Sequence, residues 1–204
     1  MNLRFNVNKT VYSVSTELPG PLCKIIRDWM ELSETDKIIE YAHAKVGGLE
    51  DDVVEGRSSM VAWLHETNWL PSMLQWYVGQ INSRYFGYEL VGYDNETVQL
   101  TKYDVGGYYD WHIDEERNPI ELMQNNSGEF PRKLSFTLQL SSPDEYEGGD
   151  LEFLNPMNTE EKTTINKKQG LLTVFDSRVP HRVTEVTEGT RYSLVGWLKG
   201  GRFT

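Results

Sequence analysis

Apolar residues recur along this chain with two different periods. Leu22, Ile25, Ile26, Trp29, Met30 and Leu32, followed by Ile38, Ile39 and Tyr41, fall at helical spacing between Pro21 and about Lys45. Ser33 and Asp36 in LSETD resemble a capping signal, so this stretch predicts two short helices. Met73, Leu74, Trp76, Tyr77, Val78 and Ile81 predict a further amphipathic helix from about Pro71 to Tyr85. Beyond it the period changes. Glu96–Tyr103, Lys133–Leu140, Leu151–Leu154, Gly170–Phe175 and Tyr192–Leu198 are short runs rich in β-branched and aromatic residues, separated by Gly, Asn, Asp and Pro. EGGD at Glu147–Asp150 reads as a turn between two strands, its glycines permitting a tight reversal.

Helices followed by many short strands predict an α+β chain: an antiparallel jelly roll (double-stranded β-helix) with N-terminal packing helices. No repeat or Pro/Gly/Ser-rich linker divides the 204 residues, so one domain is expected, with helical support over about 1–90 and the β core over about 90–200. Two polar segments, Gly47–Ser59 and Glu115–Arg132, fit neither period. They are expected to be loops that act as mobile walls around a substrate entrance, with two solvated loops that touch no substrate as the alternative.

Composition narrows the partners. A formal net charge of −11 disfavours a phosphate backbone, so no nucleic acid is expected. The one cysteine, Cys23, cannot form an intrachain disulfide and sits among Leu22, Ile25 and Ile26 like a small core residue. The N-terminus lacks the apolar run of a signal peptide and no stretch suffices to span a bilayer, so a cytoplasmic protein without a membrane partner is the expectation.

The chemistry concentrates at His112-Ile113-Asp114. On a strand, residues two apart share a face, so an imidazole and a carboxylate can reach one ion together, although an H-x-D alone also describes an ordinary surface pair. His43 and His65 lie in the helical half, whereas His181 follows the apolar run GLLTVFD and is the candidate third ligand. Two imidazoles and a carboxylate on one face leave three positions open, which suits iron(II); zinc favours a tetrahedral site with one. Arg191 lies ten residues after His181, in GTRYSLVGW. If His181 ends one strand and Arg191 begins the next, both point into one barrel, where a guanidinium can clamp a carboxylate. Leu194, Val195 and Trp197 argue that this strand is buried rather than on the surface.

Tyr103, Gly106, Tyr109, His112 and Asp114 in YDVGGYYDWHID follow a Y-x-x-G-x-x-Y-x-x-H-x-D spacing. With KLSFTLQLSSPDEYEGGDLEF, VPHRV and GTRYSLVGW downstream, residues 90–200 resemble the prolyl 4-hydroxylase-like branch of the iron(II)/2-oxoglutarate-dependent oxygenases. They are especially similar to its bacterial iron-uptake-associated hydroxylases, and RSSMVAWL at Arg57–Leu64 extends the likeness towards the N-terminus. The resemblance implies iron(II) on His112, Asp114 and His181, with Arg191 binding the distal carboxylate of 2-oxoglutarate and Tyr103 hydrogen-bonding it. It places Gln139 where relatives carry another cosubstrate contact, frequently a Tyr, and puts Tyr109, Trp197 and Val183 around the inner pocket. Ser193 gives an R-x-S sequence that contacts the cosubstrate in other branches; here a core strand serine is the favoured reading. Molecular oxygen is the implied co-reactant, with ascorbate as reductant. The implied substrate is a prolyl residue in a peptide or protein. A free amino acid or other small molecule, or a non-catalytic metal-binding module, are the alternatives.

Overall fold

The computed structural model describes residues 4–9, 13–35, 40–44, 56–64, 68–115, 130–155 and 157–201. The chain forms β1 (Asn6–Asn8), β2 (Ser13–Glu17), α1 (Gly20–Thr35), β3 (Ala42–His43), β4 (Arg57–Ser58), β5 (Met60–Leu64) and α2 (Trp69–Ile81), which runs into a π turn over Asn82–Phe86. There follow β6 (Leu90–Tyr103), β7 (Tyr108–His112), β8 (Arg132–Gln139), β9 (Tyr146–Gly148), β10 (Leu151–Asn155) and β11 (Asn158–Thr164). The last strands are β12 (Leu171–Asp176), β13 (His181–Val183), β14 (Val186–Gly189) and β15 (Arg191–Gly200). The major sheet has the order β1-β2-β12-β8-β15-β6-β5-β3, the facing sheet β11-β10-β13-β7-β4, and β14 pairs with β9. All the strand pairings among the described residues are antiparallel, giving the expected jelly roll.

Both helices cover the outside of the major sheet, and their spacing explains why. Cys23, Ile26, Met30 and Ser33 of α1 are buried on one stripe, while Ile25 and Leu32 are 59% and 63% exposed. In α2 the buried stripe is Leu70, Leu74, Tyr77, Val78 and Ile81, and Asn68 caps the helix by accepting the Leu70 N–H at 2.9 Å. Helix and sheet meet over Val98, Leu100, Leu134, Phe136, Leu138, Leu172, Val174, Leu194 and Leu198.

The alternate residues of those strands point the other way, into the barrel, and they are mostly polar: Gln99 and Tyr103, Thr137 and Gln139, Arg191 and Ser193. These strands are therefore buried on both faces, one dry and one lining a cavity. That construction places the site.

Two expectations are corrected. The stretch up to Lys45 does not form two helices: α1 runs on through Ser33, whose side chain is buried on the core stripe, and Ala42–His43 form a strand paired with Met60 and Val61. Spacing alone could not exclude a strand at Tyr41–His43, where the edge of β5 offers backbone partners; residues 36–39 lie outside the described residues. His181 opens a strand rather than ending one, and Arg191 begins a strand of the opposite sheet, so the two reach the barrel interior from facing sheets. Among the described residues no helix is long and apolar enough to cross a membrane.

Candidate metal centre

His112 and His181 are direct cross-strand partners on β7 and β13, which brings both imidazoles to one spot. Asp114 lies just beyond the end of β7 rather than on it. Its N–H and that of Glu115 both donate to the Ser177 carbonyl, at 2.9 and 3.0 Å, so the turn after β12 swings the carboxylate towards the rings. Asp114 Oδ1 is 3.6 Å from His112 Nε2, and Oδ2 is 3.5 Å from His181 Nε2. One ligand atom from each of the three lies within 4.8 Å of the others.

The remaining ring nitrogens fix the tautomers. His112 Nδ1 sits 2.7 Å from the Asp110 carbonyl and His181 Nδ1 2.9 Å from the Val179 carbonyl. A carbonyl only accepts, so each Nδ1 carries the proton and each Nε2 presents a lone pair inward. The rings are clamped as well: Tyr109 stacks on His112 at 3.5 Å between centroids, and Phe175 meets His181 edge-on at 4.7 Å. Burial, with His181 alongside, lowers the His112 pKa to about 4, so the ring is neutral at physiological pH. Burial would raise the pKa of Asp114, but the imidazoles whenever they carry a proton on Nε2, and the Ser135 and Trp197 side chains, hold it below the usual carboxylate range. Even so, Asp114 Oδ2 is buried with no hydrogen-bond partner. Two inward imidazole lone pairs and an under-satisfied carboxylate fit a divalent cation, and an N2O donor set with open positions suits iron(II).

The same cavity is lined by Tyr103, Tyr109, Val183, Arg191 and Trp197. Arg191 is 3% exposed, its guanidinium 3.3 Å from Ser193 Oγ and 5.4 Å from the Tyr103 ring centre, and no carboxylate among the described residues pairs with it. Gln139 borders an adjoining hollow that shares Thr137, Leu151 and Arg191 with the first. Burial pushes the Tyr109 hydroxyl up to about 12, so it remains a donor. Of the other histidines, His43 is exposed on β3, and His65 lies outside the described residues.

Three lining residues had no assigned role in the sequence. Arg57 stacks 4.4 Å over Tyr109 and donates to Ser59 Oγ and Gln99 Oε1 at 2.9 and 3.0 Å. Gln99 is two positions from Thr101 and four from Tyr103, the strand period that could have flagged it. Tyr146 has no such signal, because β9 belongs to the short third sheet. Of the two segments expected as walls, residues 47–55 and 116–129 lie outside the described residues. The described ends are anchored: Arg57 and Ser58 pair with Tyr109 and Tyr108, Glu115 is buried, and Arg132 starts β8.

Comparison with known proteins places this geometry. The profile of the 2OG-Fe(II) oxygenase superfamily matches residues 98–199, half of the chain. A PKHD-type hydroxylase of Hyphomonas neptunium is 38% identical over 94 residues, covering 46% of this chain and 38% of the relative. One of Prochlorococcus marinus is 36% identical over 102 residues, covering 50% and 41%. The chain thus spans about two fifths of the length of these curated relatives. Among solved structures, a Pseudomonas putida prolyl-4-hydroxylase superposes with a TM-score of 0.70 at 19% identity, covering 95% of both chains. A Trichoplax adhaerens prolyl hydroxylase, in complex with a hypoxia inducible factor oxygen degradation domain peptide fragment, gives 0.69 at 17% identity, covering 94% of this chain and 84% of that one. At such identities these structures show a shared fold.

Proposed function

The chain belongs to the 2OG-Fe(II) oxygenase superfamily, and we propose that it is an iron(II)- and 2-oxoglutarate-dependent dioxygenase that hydroxylates prolyl residues in a peptide or protein. One observation carries the reading: a buried, carboxylate-free guanidinium opens into the same cavity as the His112–Asp114–His181 cluster. A guanidinium in that state is costly by several kcal/mol unless an anion completes it. A dicarboxylate with a 2-oxo group supplies a distal anion for Arg191 and a chelating end for the metal.

In this assignment His112 and His181 hold iron(II) through Nε2 and Asp114 through its carboxylate. When bound, iron(II) with 2-oxoglutarate would supply the oxidising chemistry, by which one atom of dioxygen would enter a substrate C–H bond and the other succinate, with loss of carbon dioxide. The Asp110 and Val179 carbonyls keep both imidazoles in the ligating tautomer. Arg191 and Tyr103 orient the cosubstrate, while Trp197, Val183 and Tyr109 exclude water around the reacting carbon.

Aromatic and cationic side chains beside Trp197, which lines the cavity, support a prolyl substrate. Arg132 lies 4.3 Å over the Trp197 ring, and Trp63 stands 6.1 Å from it. A proline ring packs on such aromatic faces, and peptide carbonyls accept from guanidinium donors. The PKHD-type relatives and the peptide-bound prolyl hydroxylase point the same way. A mass-spectrometric screen of prolyl peptides with iron(II), 2-oxoglutarate and ascorbate tests the reading. Gain of one oxygen on proline is expected. Oxygen gain confined to free amino acids or other small molecules would overturn the peptide assignment.

A further inference from the structure

Gln139 and Tyr146 meet beside Arg191, and their hydrogen bonds leave one proton without an acceptor. Gln139 Nε2 donates to the Ser141 carbonyl at 3.1 Å and to the Tyr146 hydroxyl at 3.0 Å, which commits both amide hydrogens. Reversing the amide would set its oxygen against the Ser141 carbonyl, so the orientation is fixed. The Gln139 side chain therefore has no donor left for a bound anion.

Tyr146 does. Its side chain is 4% exposed, and its oxygen receives the Gln139 amide while the Arg191 guanidinium also bears on it. A phenol oxygen has two lone pairs and one proton. The Gln139 amide occupies one lone pair, and among the described residues no hydrogen bond uses the proton. Burial raises the pKa of the hydroxyl, which keeps that proton in place. The hollow it borders is lined by Thr137, Thr173 and Arg191 and contains no carboxylate. Lys167, whose ammonium lies 5.0 Å over the Tyr146 ring, is occupied by Asp150 and the Gly148 carbonyl.

The turn after β9 is built to hold this arrangement. Gly149 has φ +59°, and a Cβ there would stand 3.1 Å from Arg191 Cδ, 3.1 Å from the Tyr146 ring and 2.9 Å from Val186. Only glycine lets the turn press on both side chains at once.

We infer that the Tyr146 hydroxyl is a binding group for the distal carboxylate of 2-oxoglutarate, donating to the anion that Arg191 pairs with, and that Gln139 is the positioning residue that aims it. This rests on the function proposed above. It also moves the cosubstrate contact at this end of the cavity from Gln139 itself to a tyrosine on a different strand.

The test is equilibrium binding to the manganese(II)-loaded protein, which needs no turnover. Tyr146→Phe keeps the ring and removes the donor. It is expected to weaken 2-oxoglutarate binding about 10- to 100-fold, the range for a hydrogen bond to a charged group. Binding of 2-oxobutyrate, which lacks the distal carboxylate, should be unchanged. Gln139→Met should weaken 2-oxoglutarate by a smaller factor, and only while Tyr146 is present. Equal weakening of both ligands by Tyr146→Phe would make the residue merely structural and overturn the inference. So would unchanged 2-oxoglutarate binding in a variant whose wild-type parent binds it. If the wild-type protein binds 2-oxobutyrate and 2-oxoglutarate equally, or neither, the functional reading itself fails and takes this inference with it.

Discussion

Replacing Arg191 by Met should make the ligand-free protein more stable and the cosubstrate complex far weaker. Met retains the unbranched stem that packs near Gly149 and deletes a charge that is 3% exposed and has no carboxylate partner among the described residues. Exchanging an uncompensated buried charge for an apolar side chain is expected to stabilise the free protein by about 1–4 kcal/mol. With 2-oxoglutarate bound the sign reverses. Truncating one member of a buried, hydrogen-bonded charge pair costs about 2–5 kcal/mol, so the dissociation constant should rise roughly thirtyfold to several thousandfold. Urea unfolding of the manganese(II)-loaded protein, with and without 2-oxoglutarate, reads both effects. In the wild type, ligand at a hundred times its dissociation constant adds about 2.7 kcal/mol; in Arg191→Met the same concentration should add about 0.9 kcal/mol at the thirtyfold end of that range and almost nothing at the other. A variant that loses stability without ligand yet keeps its full ligand-induced gain would make Arg191 a structural cation with no part in cosubstrate binding.

Two further outcomes follow from the site. The His112 pKa is lowered by burial to about 4 from an ordinary value of 6.5, so at neutral pH the ring is uncharged in both folded and unfolded chains; between those values only the unfolded chain takes up the proton. The metal-free protein should therefore lose stability as pH falls from about 6.5 to about 4, and more steeply than His112→Asn in matched denaturant titrations; parallel slopes would contradict this. Gly149→Ala should cost about 1–3 kcal/mol and also weaken 2-oxoglutarate binding, since its Cβ displaces Arg191 and Tyr146 at a positive φ; a stable variant with normal binding would show that the turn does not brace the site.

How much of this was legible in the sequence depends on what each residue's neighbours along the chain reveal. The helix α2 and strands β6, β8, β10, β12 and β15 follow from apolar period, because one face of each meets a helix or the opposite sheet. The short strands β1, β3, β4, β9 and β14 do not, since two to four residues are too few to display a period and their pairing is decided by which sheet edges are open. His112, Asp114, His181 and Arg191 were readable from spacing and company, and the fold brings all four to one cavity. Their delivery was not: Asp114 depends on the Ser177 carbonyl, and His181 and Arg191 come from facing sheets rather than successive strands of one. Arg57, Gln99 and Tyr146 reach the cavity through tertiary contacts that no local pattern encodes.

The proposed function requires that His112, Asp114 and His181 hold one iron(II) to which 2-oxoglutarate, anchored by Arg191, can chelate. Anaerobic titration of iron(II) into the protein with 2-oxoglutarate, followed by visible absorption, tests it without any substrate. A charge-transfer band is expected that saturates at one iron per chain, requires 2-oxoglutarate and disappears in Asp114→Ala. A band of normal intensity and stoichiometry in Asp114→Ala, or none in the wild-type protein, would contradict it.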